Sequence, residues 1–213
     1  MPAYTRWVNR RLARGVAAGA ATVGLGPNAV TMLSAALSAA GLALMIAVPA
    51  SWPSALGTAA LLAAGYVFDS ADGQVARLTK KSSPAGEWLD HVVDAIRTPL
   101  IHLSVAVAVL VYEPHLTWLS VVATGFAVMS VGQFMSQILA EQLVRNRGAE
   151  RAEANGIRKS LSLLPTDTGV LCWSFALWAL PPVFAVAYTA LFAVNLVHTG
   201  VSMVRKYRKL KSL

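Results

Sequence analysis

Cysteine is almost absent from this sequence, and charge is scarce. The lone Cys172 rules out an internal disulfide, and its place in an apolar run marks it as a buried structural thiol with no further role. Charged residues fill 13% of the 213 positions, against about 25% in a typical soluble domain, while hydrophobic residues fill 56% and mean hydropathy reaches +0.56. Too little polar surface remains to cover a soluble core, so the composition belongs with membrane proteins. Internal repeats and low-complexity linkers are lacking as well. A single compact membrane domain over residues 1–213 is expected.

What charge there is carries a strong bias. Eighteen Lys and Arg against ten acids give a formal net charge of +8, an excess that nucleic-acid readers also show. Its placement points elsewhere. Six stretches, 28–49, 53–78, 88–112, 115–143, 161–180 and 181–204, each approach the roughly 20 mostly apolar residues that span a bilayer. Sixteen of the eighteen basic residues flank them, leaving Arg77 and Arg97 inside. The flanking ones lie in the N-terminal arm, at Lys80 and Lys81, between Arg145 and Lys159, and after Val204, while the loops on the opposite side carry none. An even number of spans with this bias places both termini in the cytoplasm. The expected fold class is thus all-α: six transmembrane helices over 27–204, a basic cytoplasmic tail over 205–213, and an arm over 1–26. The basic segments offer few side chains that read bases, so membrane lipids, not nucleic acid, are the expected partners. The opening MPAYTRWVNRRLARG has no apolar h-region before its basic cluster ends, so it is read not as a cleaved signal but as an interfacial amphipathic helix.

Acidic residues are few, yet four of the ten gather around one turn. Asp69 and Asp72 are spaced i,i+3, and Asp90 and Asp94 i,i+4, so each pair projects from one face of its helix and the two faces can meet. Several ionised carboxylates at membrane depth repel one another and are costly unless cations neutralise them. Oxygen-only ligation favours hard cations such as Mg²⁺, Mn²⁺ or Ca²⁺. His91 points about 100° away from Asp90 on an ideal helix and reads as a packing or supporting residue. Gly73, Ala76 and Gly86 leave room for something to approach the backbone closely, and Arg77 supplies a fork for phosphate oxygens.

Together these residues spell Asp69, two residues, Asp72, Gly73, two residues, Ala76, Arg77, eight residues, Gly86, three residues, Asp90, three residues, Asp94. The pattern resembles the complete signature of the CDP-alcohol phosphotransferase family. The motif covers Asp69 to Asp94, and the six-span topology extends the likeness over nearly the whole chain. The resemblance implies a transferase of phospholipid biosynthesis that moves a phosphatidyl or related phospho-alcohol group from a CDP-alcohol lipid donor, most often CDP-diacylglycerol, to a small acceptor hydroxyl with release of CMP. It implies divalent metal, Mg or Mn, in a two-ion site on Asp69, Asp72, Asp90 and Asp94. It also implies a nucleotide site of Asp69, Asp72, Gly73, Ala76, Arg77 and Gly86, with Asp94 as general base. A homodimer in the cell membrane, active site toward the cytoplasm, is the family's expectation.

Other signals are weaker. Pro27, Asn28 and Thr31 open the first span, where helix initiation and donor contact are both open readings. Arg97 inside a span calls for an ion pair with an aspartate, with substrate phosphate as the sharper alternative. Arg158 and Lys159 are possible acceptor contacts, although such a run also serves as a lipid-facing basic surface. Thr166 and Asp167 after Pro165 read first as a cap of the fifth helix, with contact to an acceptor hydroxyl as the alternative. The acceptor stays open, with inositol phosphate and glycerol phosphate among the candidates. A divalent-cation transporter or channel is the rival function, since membrane carboxylates also line ion paths.

Overall fold

A computed structural model describes residues 1–147, 160 and 163–212. All regular structure among the described residues is helical, in seven α-helices: α1 (Arg10–Thr22), α2 (Pro27–Ala47), α3 (Trp52–Leu78), α4 (Pro84–Tyr112), α5 (Trp118–Asn146), α6 (Thr168–Ser174) and α7 (Pro181–Lys211). The boundaries follow local chemistry. Proline occupies the first turn of α2, α3, α4 and α7, where its missing N–H is no loss. Ser51 and Ser54 form a reciprocal capping box at the start of α3, and Ser83 accepts from the Gly86 N–H at the start of α4 (3.1 Å).

Among the described residues four helices, α2, α4, α5 and α7, are long and apolar enough to cross a membrane. The chain is a multi-pass membrane protein, and six spans are not confirmed among the described residues. At 27 residues α3 is about 40 Å long at 1.5 Å per residue, yet its C-terminal part, from Asp69 on, carries Asp69, Asp72 and Arg77 and lowers its hydropathy. The stretch expected at 161–180 departs further. Among its described residues a 3-10 turn over Leu164–Thr166 comes first, the α-helix starts at Thr168, capped by Asp167, and after Ser174 the chain tightens into a second 3-10 turn over Phe175–Ala179. Those 12 residues of apolar helix span about 20 Å, short of the roughly 30 Å hydrocarbon layer. At the other end, the expected tail is the final turns of α7.

Helices α2 and α3 touch through small residues. A Cβ on Gly65 would meet the Ser34 carbonyl at 3.1 Å and the Ser38 nitrogen at 3.3 Å, and Ser34 Oγ donates to the Gly65 carbonyl (2.8 Å). This is the close backbone approach that small side chains allow between membrane helices. The core is centred on Phe126, Phe175, Trp178, Phe184 and Tyr188, where His102 stacks on Phe126 and pairs with Tyr188 Oη at 2.6 Å. A smaller cluster seats α1, whose Ala13, Ala17 and Ala20 pack with Val67, Ala71 and Val75 of α3, leaving Val8 and Leu12 exposed.

The arm is fastened to two other elements. Thr5 donates through its N–H and Oγ1 to Asp167 (both 2.8 Å) and shares a 2.7 Å hydrogen bond with Tyr66 Oη. Arg145 at the end of α5 lies 3.5 Å from Glu87 at the start of α4. These contacts bring the arm, the α3–α4 turn and the end of α5 to one end of the bundle.

Candidate active site

The α3–α4 hairpin brings the acidic pairs together. One oxygen from each of Asp69, Asp72 and Asp90 lies within 4.8 Å of the others, a spacing one cation can bridge. Asp72 is buried, and Thr31 Oγ1 donates to its Oδ2 (2.7 Å). Asp94 stands beside this group under different control. Arg97 Nη2 bonds Asp69 Oδ1 at 2.7 Å and also pairs with Asp94, while its Nη1 donates to Ser34 Oγ at 2.8 Å. Four carboxylates thus face one guanidinium, leaving an excess of negative charge in a partly buried place. Such an excess, with oxygen donors only, fits a hard divalent cation.

Two cavities meet at these acids. The first, of about 470 Å³, is bounded by Pro27, Asn28 and Thr31 of α2, by Asp72, Gly73, Ala76 and Arg77 of α3, and by the turn and first helical residues through Asp90. The starts of α2 and α4 both border it, and helix starts favour anions. Gly73 has room for a side chain, since a Cβ there would meet the Arg77 guanidinium at an ordinary contact distance of 3.7 Å. Gly86 has a packing role, since a Cβ would sit 3.2 Å from Asn28 Oδ1 and 3.3 Å from Ser83 Oγ.

The second cavity, of about 430 Å³, lies on the other side, and Asp90 lines both. It takes Asp69, Asp94 and Arg97 on one wall and residues of α5, α7 and the 165–168 turn on the other. His91 lines it 3.9 Å from Asp90 and meets Phe134 edge-on, outside the three-carboxylate group.

Every motif residue therefore borders one cavity or the other, with Asn28 and Thr31 beside them. Arg97 takes the expected ion pairs. Arg158 and Lys159 lie outside the described residues. Asp167 caps α6, accepting from the Gly169 N–H at 3.1 Å. Sequence reading passed over Ser34, the Thr5–Asp167–Tyr66 link, and Gln133, Gln137 and Asn195 at the second cavity. Only the glutamines had left a signal: they stand four apart, with Glu141 four further on, in an otherwise apolar span.

A sequence profile of the CDP-alcohol phosphatidyltransferase family matches residues 25–201. Two solved structures of the phosphatidylinositol phosphate synthase of Mycobacterium tuberculosis share the fold. The one with CDP-DAG bound aligns at a TM-score of 0.64 and 23% identity, covering 92% of this chain and 93% of that one. The one in complex with manganese and citrate aligns at 0.58 and 20%, covering 91% and 88%. No curated protein matches the chain.

Proposed function

The chain belongs to the CDP-alcohol phosphatidyltransferase family, and from that premise we propose that it transfers a phosphatidyl or related phospho-alcohol group from CDP-diacylglycerol to the hydroxyl of a small acceptor, releasing CMP. The observation that carries this reading is the position of the acids. They stand between a cavity edged by the motif's small residues and Arg77, and a second cavity able to receive another molecule.

In this reading the first cavity takes the cytidine and diphosphate. Gly73 and Ala76 admit the nucleotide to the backbone of α3, while Arg77 and the starts of α2 and α4 face the phosphate oxygens. Asp69, Asp72 and Asp90, with Asp94 beside them, would hold one or two Mg²⁺ or Mn²⁺ ions, which when bound neutralise charge on the diphosphate and on departing CMP. Thr31 keeps the Asp72 carboxylate turned toward that group. Asp94 faces the second cavity, where it takes the proton of the acceptor hydroxyl. The acceptor oxygen bonds to the β-phosphorus, the bond from that phosphorus to the bridging oxygen breaks, and CMP leaves with the electron pair. Arg97 holds Asp94 and Asp69 in register throughout.

The basic end of the bundle faces the cytoplasm in this account, by the positive-inside bias, and the active site opens there. A homodimer remains the family's expectation. The test is CMP release from CDP-diacylglycerol by the purified full-length protein with Mg²⁺ or Mn²⁺ and a mixed acceptor panel. Release abolished by chelator is expected. Uptake of divalent cations into liposomes with no CMP formed would return the transporter reading instead.

A further inference from the structure

Arg97 lies outside the aspartate signature, yet its guanidinium is set among the four acids. Nη2 donates to Asp69 Oδ1 at 2.7 Å and also to Asp94 Oδ1, so one nitrogen bridges an oxygen from each acidic pair. A divalent ion bound through those same oxygens would stand about 2.1 Å from each, in the space that the nitrogen fills. Bound through the other oxygens of the two carboxylates, it would lie within a few Å of a fixed cation, and like charges at that separation repel.

The guanidinium is held there from behind. Nη1 donates to Ser34 Oγ (2.8 Å), and the fully buried Ser34 gives its own hydrogen to the Gly65 carbonyl (2.8 Å), where α2 and α3 approach closely. The Arg97 side chain is only 12% exposed, and a guanidinium stays protonated. Swinging out would forfeit all three contacts and leave a lone cation to be accommodated at membrane depth.

The remaining acids need neither Arg97 nor Asp94 to form a cation position. One oxygen from each of Asp69, Asp72 and Asp90 lies within 4.8 Å of the others, and Thr31 fixes Asp72. Asp72 and Asp90 line the donor cavity, whereas Asp94 and Arg97 line the second cavity. The acids are thus divided between a three-carboxylate position on the donor side and an ion pair on the acceptor side.

We infer that this protein takes a single divalent ion, held by Asp69, Asp72 and Asp90, and that the Arg97 guanidinium occupies the place of a second. This rests on the phosphotransferase reading of the same site, and it departs from the two-ion site that the family resemblance implies. In two-metal sites one ion attends the attacking oxygen and the other the leaving oxygen. Here the donor side keeps its ion position, and on the acceptor side Asp94 is oriented by a permanent monocation.

The test counts Mn²⁺ directly. Full-length protein in nanodiscs of zwitterionic phosphatidylcholine, stripped of metal and given CDP-diacylglycerol, is dialysed against Mn²⁺, and low-temperature EPR reads whether the bound ions sense one another. Two Mn²⁺ ions in one such site stand about 3.5–4 Å apart and couple magnetically. One ion per chain with an uncoupled spectrum is expected. Arg97→Gln removes the charge and is expected to double the count to two ions with a coupled spectrum. Two coupled ions in the unchanged protein overturn the inference, and so does a count that stays at one in folded Arg97→Gln. If the variant does not fold, the count on the unchanged protein decides. Donor binding with and without Mn²⁺ in the same samples separates the two levels. Two coupled ions with Mn²⁺-dependent donor binding sink only this inference, whereas donor binding indifferent to Mn²⁺ sinks the phosphotransferase reading with it.

Discussion

At the residue scale the site depends on a few side chains whose partners are far away in sequence. Thr31 reaches Asp72 across 41 positions, and Arg97 reaches Asp69 across 28. Thr31→Val removes one hydrogen bond to a charged acceptor, worth about 1.5 kcal/mol or more, so donor affinity should fall roughly ten-fold in a binding titration while the fold persists. Arg97→Gln is more severe. It leaves Asp69 and Asp94 without their shared counter-charge, and breaking a partly buried pair costs about 3–5 kcal/mol, less whatever solvent reaches the site, so thermal unfolding should move down by several degrees in metal-free detergent. Added Mn²⁺ should recover part of that loss by neutralising the same acids. The aspartates themselves were legible because i,i+3 and i,i+4 spacings survive in any helix. The roles of Thr31 and Ser34 were not, because nothing local in the sequence tells a hydroxyl which neighbouring helix it will face.

At the element scale, helix starts and the α3–α4 hairpin could be read from proline, serine and apolar run length. The stretch 161–180 could not. It is apolar enough to suggest a span, but the helix capped by Asp167, a cap the sequence did show, gives way after Ser174 to a 3-10 turn at Phe175–Ala179, and hydropathy registers neither where a helix starts nor where it tightens. Gly65 also gave no sign that it differed from other glycines. Its neighbours now predict a contrast. Gly65→Ala sets a Cβ against the Ser38 side chain and the Ser34 carbonyl and should destabilise by about 1–3 kcal/mol. Gly15→Ala on the open face of α1 meets nothing within 4 Å and should stabilise by up to about 1 kcal/mol. Thermal unfolding of the two variants in the same detergent should shift in opposite directions.

At the scale of the whole molecule, the charge bias and the position of the acids give one account of orientation. The Lys80 turn adjoins the acid cavity, and the His115 turn connects the far ends of α4 and α5. With Cys172 replaced by Ala, a cysteine at His115 should react with a membrane-impermeant thiol reagent on intact cells, and one at Lys80 only after permeabilisation. The reverse pattern would invert the protein in the membrane and place the donor cavity outside. Composition and charge made the membrane class readable; the short fifth segment and the second cavity emerged only from packing between distant helices.

The central claim is that the acids between the two cavities perform phosphotransfer on a CDP-linked donor, with Asp94 acting on the acceptor proton and Asp69 and Asp72 on the donor. The most direct measurement pairs CDP-diacylglycerol affinity with single-turnover CMP formation for Asp69→Asn, Asp72→Asn and Asp94→Asn, each at saturating Mg²⁺ or Mn²⁺ and confirmed folded. A base acts chiefly in the transition state, so its loss should appear in the rate, whereas a group that grips the donor should show in binding. The account predicts that Asp94→Asn loses turnover by about 100-fold or more with donor affinity nearly intact, and that Asp69→Asn and Asp72→Asn lose donor affinity. Near-normal CMP formation by Asp94→Asn, or donor affinity unchanged in all three, would contradict it.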